Sequence, residues 1–157
     1  DYHHHMTRPG IGLYGGAEFP GARSVVQLSL PILQVRDVAP GQGVGYGAAW
    51  RAQRPTRVAT LQSGYADGII RAIGGQSVNL YAGGVACPVI GRVSMDLLTV
   101  DVTDLATIPQ QMELLNERQG VKALADAAGT ISHEILTALG HRYERVYKGG
   151  PSAQETA

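Results

Sequence analysis

Four short stretches combine one or more glycines with side chains that could do chemistry: residues 8–15, 44–50, 64–68 and 91–96. The second of them sets Tyr46 between two glycines and ends at Trp50, the only tryptophan in the chain. Glycine inside a strand loses packing surface and costs conformational entropy, so the demands of a hydrophobic core do not explain this pattern. The glycines indicate that something approaches the backbone closely at the tyrosine.

Taken singly, each stretch also has a purely structural interpretation. Residues 64–68 could form a hairpin turn with a packed Tyr65, and Arg92 with Asp96 could form a surface ion pair worth well under about 1 kcal/mol. Arg8 alone could be a surface charge at a strand end. Four such stretches in one short chain, in this order and at these spacings, are much more specific than any one of them.

Two other groups are weaker candidates for chemistry. His3–His5 are adjacent, and neighbours in an extended chain point to opposite faces, so we predict no metal site there. These histidines are either native or the remnant of a purification tag. Cys87 is the only cysteine, which excludes an internal disulfide and fits a reducing compartment. No histidine lies near it in sequence, so we interpret it as a small buried apolar residue rather than a nucleophile.

The elements that must position these stretches are short and rich in β-branched residues. Turn signals at glycines and prolines separate the runs, which is typical of an antiparallel sandwich or barrel. Pro31 falls between the first two runs, so we expect the strand to bend there or to lie at an edge. The predicted strands are Val25–Leu30, Ile32–Val38, Val58–Leu61, Val78–Tyr81, Val85–Val93 and Leu97–Val102.

The pattern changes after Pro109. Residues 112–115 predict one more strand, and apolar residues then recur at helical spacing from Val121 to Ala128, with Gly129 as the C-terminal cap. A second short helix is predicted from Ser132, as N-cap, towards Gly140. The predicted fold class is therefore mainly β, an antiparallel barrel or sandwich with two short helices near the C-terminus.

Composition narrows the function classes. With 157 residues, 44% of them hydrophobic, the chain can bury one ordinary core, and we expect one domain. Its 13 basic and 13 acidic side chains cancel, which argues against nucleic acid and against a basic membrane-binding face as partners. No apolar run is long enough for a membrane helix and no signal peptide is evident, so we expect the cytoplasm.

The four stretches together resemble the C-terminal β domain of alanine racemase, a pyridoxal-phosphate enzyme that interconverts L- and D-alanine for bacterial cell-wall synthesis. The resemblance runs nearly end to end. It is carried by the segments Arg8-Pro9-Gly10, Gly45-Tyr46-Gly47, Gly64-Tyr65-Ala66-Asp67-Gly68, Arg92-Val93-Ser94-Met95-Asp96, Ile131-Ser132-His133-Glu134-Ile135-Leu136 and Arg142-Tyr143.

The resemblance implies a division of roles among these residues. Tyr46 matches the tyrosine that acts as one of two catalytic bases and reaches into the active site of the partner subunit. A free phenol is a poor base near neutral pH, so its surroundings must help it. Arg8 matches the arginine that faces the pyridine nitrogen of the cofactor, and the NH groups of Gly10 and Ile11 match positions that hold the cofactor phosphate.

Further positions line the substrate path in the family. Tyr65 resembles the tyrosine at the entrance of the active site, and Met95 the residue whose backbone NH meets the substrate carboxylate across the dimer interface. The entrance corridor corresponds to Arg71, Arg92 and Ile131, whose arginines would attract a carboxylate. Asp67 and Asp96 are interpreted as ordering loops.

One position departs from the family pattern. His133 stands where many members have a tyrosine that touches the cofactor phosphate and narrows the inner gate. An imidazole can also donate a hydrogen bond to phosphate. The substitution leaves phosphate binding intact as a prediction and leaves the substrate range open.

The family's N-terminal barrel is missing from this sequence, and with it the lysine that forms the Schiff base with pyridoxal phosphate. Lys122 and Lys148 do not have the surroundings of a cofactor lysine. We expect residues 1–15 to be the end of the barrel region and a linker, residues 16–148 to be the β domain, and residues 149–157 to be a disordered tail.

The resemblance leads to one main hypothesis and two alternatives. In the main hypothesis the chain is part of a homodimeric racemase acting on a small amino acid, and it is inactive alone. It could instead be a stand-alone β module for binding or assembly, or part of a racemase for serine, lysine or another amino acid.

Overall fold

The computed structural model describes residues 5–6, 8, 10–16, 21, 23–75 and 78–148. It contains eight strands, two α-helices and four single 3₁₀ turns. The strands are β1 (Leu28–Val38), β2 (Gly43–Val44), β3 (Trp50–Arg51), β4 (Thr56–Gln62), β5 (Asn79–Ala82), β6 (Val85–Ile90), β7 (Leu97–Asp101) and β8 (Gln111–Leu115). The helices are α1 (Val121–Ala128) and α2 (Ser132–Ala138). The 3₁₀ turns are Ile11–Tyr14, Tyr46–Ala48, Tyr65–Asp67 and Arg71–Ile73.

Six strands form a closed antiparallel barrel in the order β1-β4-β7-β6-β5-β8, and β8 pairs back onto β1. The longest pairing joins β1 to β4 over six residue pairs, and β4 pairs with β7 over five, from Val58↔Asp101 to Gln62↔Leu97. The barrel with two helices near the C-terminus confirms the predicted fold class.

Strand β1 closes the barrel because it pairs with both β4 and β8. Its residues 28–31 pair with β8, and residues 32–38 pair with β4. Pro31 sits where the partner changes, and the register shifts between Ile32 and Gln34 as in a β-bulge. The sequence predicted two runs separated at Pro31; the structure has one continuous strand, because a change of partner at the proline removes the need for a chain break.

The main core fills the barrel and extends beneath the helices. It contains Leu30, Leu61, Leu80, Met112 and Leu114, each fully buried. Helix α1 adds Val121, Leu124 and Ala125, the apolar face predicted from helical spacing. Cys87 is buried, as predicted, and burial raises the pKa of its thiol, with smaller contributions from nearby carboxylates.

Both helix ends can be compared with their predictions. Gly129 follows α1 with a φ of +70° and its N–H donates to the carbonyl of Asp126, which confirms the predicted cap. The prediction of Ser132 as N-cap is wrong: α2 begins at Ser132, Ile131 occupies the cap position, and no side chain caps the turn. Ser132 is instead buried, so its side chain packs rather than caps.

A second, smaller core lies beneath the Tyr46 stretch. It comprises Val38, Val44, Ala52, Val58 and Ile90, with Trp50 packed against it. The hairpin of β2 and β3, which the sequence did not predict, pairs Val44 with Trp50. The only tryptophan thus anchors the base of the turn that carries the tyrosine.

The predicted tail, residues 149–157, and His3 and His4 lie outside the described residues. Within the part of the chain that the structure describes, no helix is long and apolar enough to cross a membrane. The same residues contain no cluster of three or more His, Cys, Asp or Glu side chains arranged to hold a metal ion.

Candidate active site

Tyr46 begins a 3₁₀ turn between β2 and β3, and its side chain is 72% exposed. The flanking glycines have φ values of +73° at Gly45 and +67° at Gly47, a left-handed conformation that other L-residues adopt only with strain. The turn closes with a hydrogen bond from the Ala48 N–H to the Gly45 carbonyl. The glycines therefore allow a tight turn that projects the phenol outward from a fixed backbone.

The stretch at residues 91–96 lies directly beside this turn. A Cβ built at Gly47 would be 3.2 Å from Nη1 of Arg92, and one at Gly91 would be 3.1 Å from the Val44 carbonyl oxygen. The exposed guanidinium of Arg92 therefore rests against the backbone of the Tyr46 turn. This contact places a positive charge beside the backbone of the Tyr46 turn.

Tyr65 begins a second 3₁₀ turn, which is hydrogen-bonded to the 91–96 stretch. The Tyr65 N–H donates to the Ser94 carbonyl at 3.0 Å, and the Ala66 N–H donates to the Met95 carbonyl at 2.9 Å. A Cβ at Gly64 would overlap those two carbonyl groups, so only glycine permits this approach. The side chains of Tyr65 and Met95 remain 46% and 54% exposed.

The turn that contains Arg71 joins the same cluster. It ends at Gly74, where a Cβ would lie 2.9 Å from the Val93 nitrogen and 3.2 Å from the Arg92 Cα. Arg71 itself is exposed. We call residues 44–48, 64–68, 71–74 and 91–97 the loop cluster; it brings together Tyr46, Tyr65, Arg71, Arg92 and Met95.

An ion-pair network joins two segments of the loop cluster, the Tyr65 turn and residues 91–97. Arg142 Nε lies 3.1 Å from Asp67 Oδ1, and Arg142 Nη1 lies 2.8 Å from Asp96 Oδ1. The hydrogen bond to Asp96, followed by the charge of Asp67, raises the pKa of Arg142. Asp96 therefore pairs with Arg142 in the structure, and the surface pair with Arg92 considered as a structural alternative is not the one formed.

The neighbouring residue, Tyr143, is hydrogen-bonded to the buried Ser63 hydroxyl at 2.7 Å. Burial raises the pKa of Tyr143 above its ordinary value near 10.0, and the hydrogen bond from Ser63 opposes that shift. The pair ties the C-terminal segment to the residue just before Gly64. No local pattern marks such long-range partners, and sequence reasoning assigned no role to Arg142, Ser63 or Tyr143.

A second site, separate from the loop cluster, is an open groove of about 280 Å³. We call it the Ile11–His133 groove. The residues that line it are Ile11, Gly16, Lys122, Ala125, Asp126, Thr130, Ile131, Ser132 and His133. Two of the predicted phosphate-binding positions, Ile11 and His133, thus line one concave surface.

Close packing of the 3₁₀ turn against α2 builds this groove. A Cβ at Gly16 would overlap the Ile11 side chain and lie 3.1 Å from the Ser132 Cβ. The Gly16 N–H donates to the Ile11 carbonyl at 3.2 Å, which closes the turn. Gly10 immediately precedes the turn and is exposed, as is Arg8.

Ile131 belongs to this groove rather than to the loop cluster. Its side chain is 65% exposed beside His133, whereas Arg71 and Arg92, the other predicted corridor residues, lie in the loop cluster. Within one chain the predicted corridor is therefore divided between two sites.

Helix α2 connects the two sites. Ser132 and His133 at its start line the groove, and at its far end the Ala138 carbonyl lies against Gly68 while Gly140 N–H donates to the Asp67 carbonyl. The seven residues of α2 span roughly 10 Å at about 1.5 Å per residue. A larger open groove of about 780 Å³, between residues 24–31 and 142–148, contains none of the predicted site residues.

Residues 25–147 match the protein-family model described as alanine racemase, C-terminal domain. An alanine racemase from Ruegeria sp. (strain TM1040) is 58% identical over 147 residues, which cover 94% of this chain and 43% of that relative. An alanine racemase from Dinoroseobacter shibae is 60% identical over 149 residues, covering 95% of this chain and 42% of that relative. The chain thus spans less than half the length of the curated relatives it matches.

Solved structures show the same similarity. Alanine racemase from Bartonella henselae, with covalently bound pyridoxal phosphate, aligns with a TM-score of 0.82 and 39% identity over 89% of this chain and 41% of that chain. The biosynthetic alanine racemase from Pseudomonas aeruginosa aligns with a TM-score of 0.82 and 37% identity, covering 90% of this chain and 42% of that chain.

Proposed function

The chain belongs to the family of alanine racemase C-terminal domains, and from this premise we propose that it is the C-terminal domain of a pyridoxal-phosphate-dependent alanine racemase. Its part in the reaction is to supply one proton-transfer group and part of the substrate pocket to the active site of a partner subunit. One observation carries the proposal: Tyr46 is held in a rigid turn, yet its phenol is 72% exposed. A phenol presented in this way has no role in the domain's own core.

Tyr46 is the proposed acid and base on one face of the substrate. Its Oη takes the proton from the α-carbon of one enantiomer and returns a proton in the opposite direction of the reaction. The Arg92 guanidinium lies against the neighbouring Gly47, so a cation stands beside the turn that carries Tyr46. The second base on the opposite face is, by family resemblance, a lysine of the N-terminal barrel.

The rest of the loop cluster is suited to hold an amino acid by its carboxylate. The backbone N–H of Met95 is the proposed donor to that carboxylate, and Tyr65 borders the entrance. Arg71 and Arg92 are exposed cations within the same cluster, and they attract an anionic group before it binds.

The Ile11–His133 groove fits the phosphate of the proposed cofactor. The N–H groups at the start of a 3₁₀ turn have no acceptor within the turn, so those of Gly10 and Ile11 can donate to an anion. No atom lies within 4 Å of a Cβ built at Gly10, which leaves room for close approach. The imidazole of His133 supplies a donor from another wall of the same groove.

Arg8 is the proposed partner of the pyridine nitrogen of the cofactor. A guanidinium donates hydrogen bonds but gives up no proton near neutral pH, so Arg8 would leave that nitrogen unprotonated. When bound, pyridoxal phosphate supplies an electron sink for the electron pair that the α-carbon retains as its proton leaves.

The separation of the two sites supports a homodimer. The loop cluster and the groove occupy different parts of one chain, and we infer that a complete site combines the loop cluster of one subunit with the groove of the other. The exposed side chains of Tyr46, Tyr65 and Met95 are the kind of patch that another chain covers.

The remaining parts of the proposal concern the parent protein. We infer that residues 1–15 end a cofactor-binding barrel and link it to the β domain of residues 16–148. Lys122 forms an exposed ion pair with Asp126 at 2.7 Å, which does not suggest a cofactor lysine. The parent is proposed to act in the cytoplasm and to supply D-alanine for peptidoglycan, and this chain alone is proposed to be inactive.

The test is to express the protein encoded by the parent open reading frame and to follow the conversion of L-alanine to D-alanine. We expect racemisation, and we expect Tyr46→Phe to lower kcat by about 10²- to 10⁴-fold, the range for loss of a positioned acid or base. Tyr147→Phe, at a tyrosine that is 88% exposed outside both sites, is the matched control and should leave kcat unchanged.

Three results would contradict parts of the proposal. A parent protein that binds no pyridoxal phosphate and racemises nothing would favour a stand-alone binding or assembly module. A Tyr46→Phe variant with the activity of the unaltered enzyme would remove Tyr46 from the reaction. Racemisation by this chain alone would overturn the expectation that it is inactive.

His133 gives reason to test a wider substrate range. It is exposed on the groove wall where many family members carry a tyrosine. Serine and lysine should be compared with alanine in the unaltered enzyme and in His133→Tyr. If the histidine widens the gate, His133→Tyr lowers kcat/KM for the larger substrates more than for alanine; equal effects on all three would exclude that role.

A further inference from the structure

We propose that Arg142 is a positioning residue that sets the direction of the Met95 backbone N–H through two carboxylates; this inference rests on the function proposed above. Its guanidinium spans two segments that are far apart in sequence. Nε lies 3.1 Å from Asp67 Oδ1 in the Tyr65 turn, and Nη1 lies 2.8 Å from Asp96 Oδ1, next to Met95. One side chain therefore holds the two segments that carry the proposed substrate contacts.

Asp67 is the stronger anchor of the pair. Its side chain is only 8% exposed, and its second oxygen accepts a 2.8 Å hydrogen bond from the Gly64 N–H. Its carbonyl accepts a hydrogen bond from Gly140 N–H, which fixes the turn to the segment that leads to Arg142. A buried carboxylate that loses its cation is costly, so this interaction differs from an exposed ion pair.

The geometry of the peptide bond links this network to the substrate. In a planar trans peptide the C=O and N–H point in opposite directions. The Ser94 carbonyl accepts a hydrogen bond from Tyr65 N–H at 3.0 Å, so the Met95 N–H of the same peptide points away from the Tyr65 turn. The next carbonyl, that of Met95, is held by Ala66 N–H at 2.9 Å. Arg142 binds Asp67 in the Tyr65 turn and Asp96 next to Met95. It thereby fixes the direction of the Met95 N–H.

The experiment compares four variants of the parent enzyme: Arg142→Ala, Arg142→Lys, the double variant Arg142→Ala with Asp67→Asn, and Arg54→Ala. Arg54 forms an exposed pair with Asp104 outside the loop cluster and is the matched control. A donor to the carboxylate acts equally on the ground state and the transition state, so its misalignment raises KM rather than lowering kcat. We expect KM for both alanine enantiomers to rise about tenfold in the three Arg142 variants, as for a weakened hydrogen bond to a charged group.

The double variant separates positioning from simple stability. Asp67→Asn removes the buried charge that Arg142→Ala leaves without its cation, while the amide oxygen can still accept from Gly64 N–H. Thermal stability should therefore recover in the double variant while KM stays raised. A KM that returns to the unaltered value together with stability overturns the proposal, as does a raised KM in Arg54→Ala.

Amide hydrogen exchange in the parent protein gives a second readout that needs no activity. The Tyr65 and Ala66 amides, which are bonded to Ser94 and Met95, should exchange faster in the double variant, while the barrel amide of Val100 should not change. Unchanged exchange at Tyr65 and Ala66 overturns the proposal. Absence of racemisation in the unaltered protein would refute the proposed function instead, and the exchange result would then decide the positioning role alone.

Discussion

The loop cluster and the Ile11–His133 groove are both candidate halves of an active site, yet they are built in opposite ways. In the loop cluster, backbone meets backbone: the Tyr65 turn is bonded to Ser94 and Met95, and Arg142 spans the carboxylates behind them. In the groove, a single 3₁₀ turn packs its Ile11 side chain beneath Gly16 and against the start of α2. The loop cluster is therefore a rigid projection, and the Ile11–His133 groove is a concave surface lined by side chains.

The difference indicates what each half requires from the rest of an assembled protein. A group that must reach into another chain has to hold its own geometry, because its own domain does not enclose it. A groove lined by side chains can adjust to a bound group through side-chain rotation. Substitutions in the loop cluster should therefore cost stability, and equivalent substitutions in the groove should be tolerated.

Gly64→Ala should have the largest effect. The new methyl group would overlap the carbonyl groups of Ser94 and Met95, which are backbone atoms that cannot rotate away. We expect the free energy of unfolding, measured with chemical denaturant, to fall by about 3 kcal/mol. Gly120→Ala is the control, since its backbone has a φ of −82° and no atom lies within 4 Å of the new Cβ; its cost should be within about 0.5 kcal/mol. Equal costs at the two glycines would show that the close approach of Ser94 and Met95 does not restrict residue 64.

Gly16→Ala is the corresponding change in the groove. Here the methyl group meets the Ile11 side chain, which is partly exposed and can rotate, and the Ser132 Cβ at 3.1 Å. We expect a smaller loss of unfolding free energy, about 1.5 kcal/mol, together with faster amide exchange in residues 11–15. A loss as large as that of Gly64→Ala would mean that the groove is as rigid as the loop cluster.

Tyr143→Phe should have the smallest effect, and one that depends on pH. Burial raises the pKa of Tyr143 above 10.0, so above that pH the folded chain keeps a proton that the unfolded chain loses. The stabilisation is therefore fully present below about pH 10 and declines as the pH rises through the folded-state pKa. Near pH 8 we expect the variant to be less stable by about 1 kcal/mol through loss of the hydrogen bond to Ser63.

The difference between Tyr143→Phe and the unaltered chain should shrink as the pH approaches 11, when denaturation curves are compared across pH. Tyr147→Phe, at an exposed tyrosine, should follow the unaltered chain at every pH. A constant difference between Tyr143→Phe and the unaltered chain would show that Tyr143 does not contribute to alkaline instability.

Local patterns accounted for much of the fold. Runs of β-branched residues between glycine or proline turns predicted β1, β4, β5, β6 and β7, and the apolar residues of 112–115 predicted β8, because a strand depends largely on its own residues and on the turns around it. The α1 face and its Gly129 cap followed from spacing in the same way. Closure of the barrel did not, because it depends on residues 28–31 meeting residues 111–115 across most of the chain.

The candidate site likewise contains residues that the local sequence predicts and residues that it does not. Tyr46 was recognisable because the glycines that permit its turn are its immediate neighbours. The pairing of Arg142 with Asp96, across a sequence separation of 46 residues, has no local signal, since any exposed arginine could be solvated instead. The prediction of Ser132 as N-cap was wrong for a related reason: tertiary packing buries that side chain and overrides its local preference for capping.

The closed barrel of six strands also limits how this domain can associate with other chains. Each barrel strand already has a neighbour on both sides, so no other chain can join by extending the sheet. Among the described strands outside the barrel, β2 and β3 each keep an unpaired edge, and other association uses side chains from the loops and helices that surround the barrel.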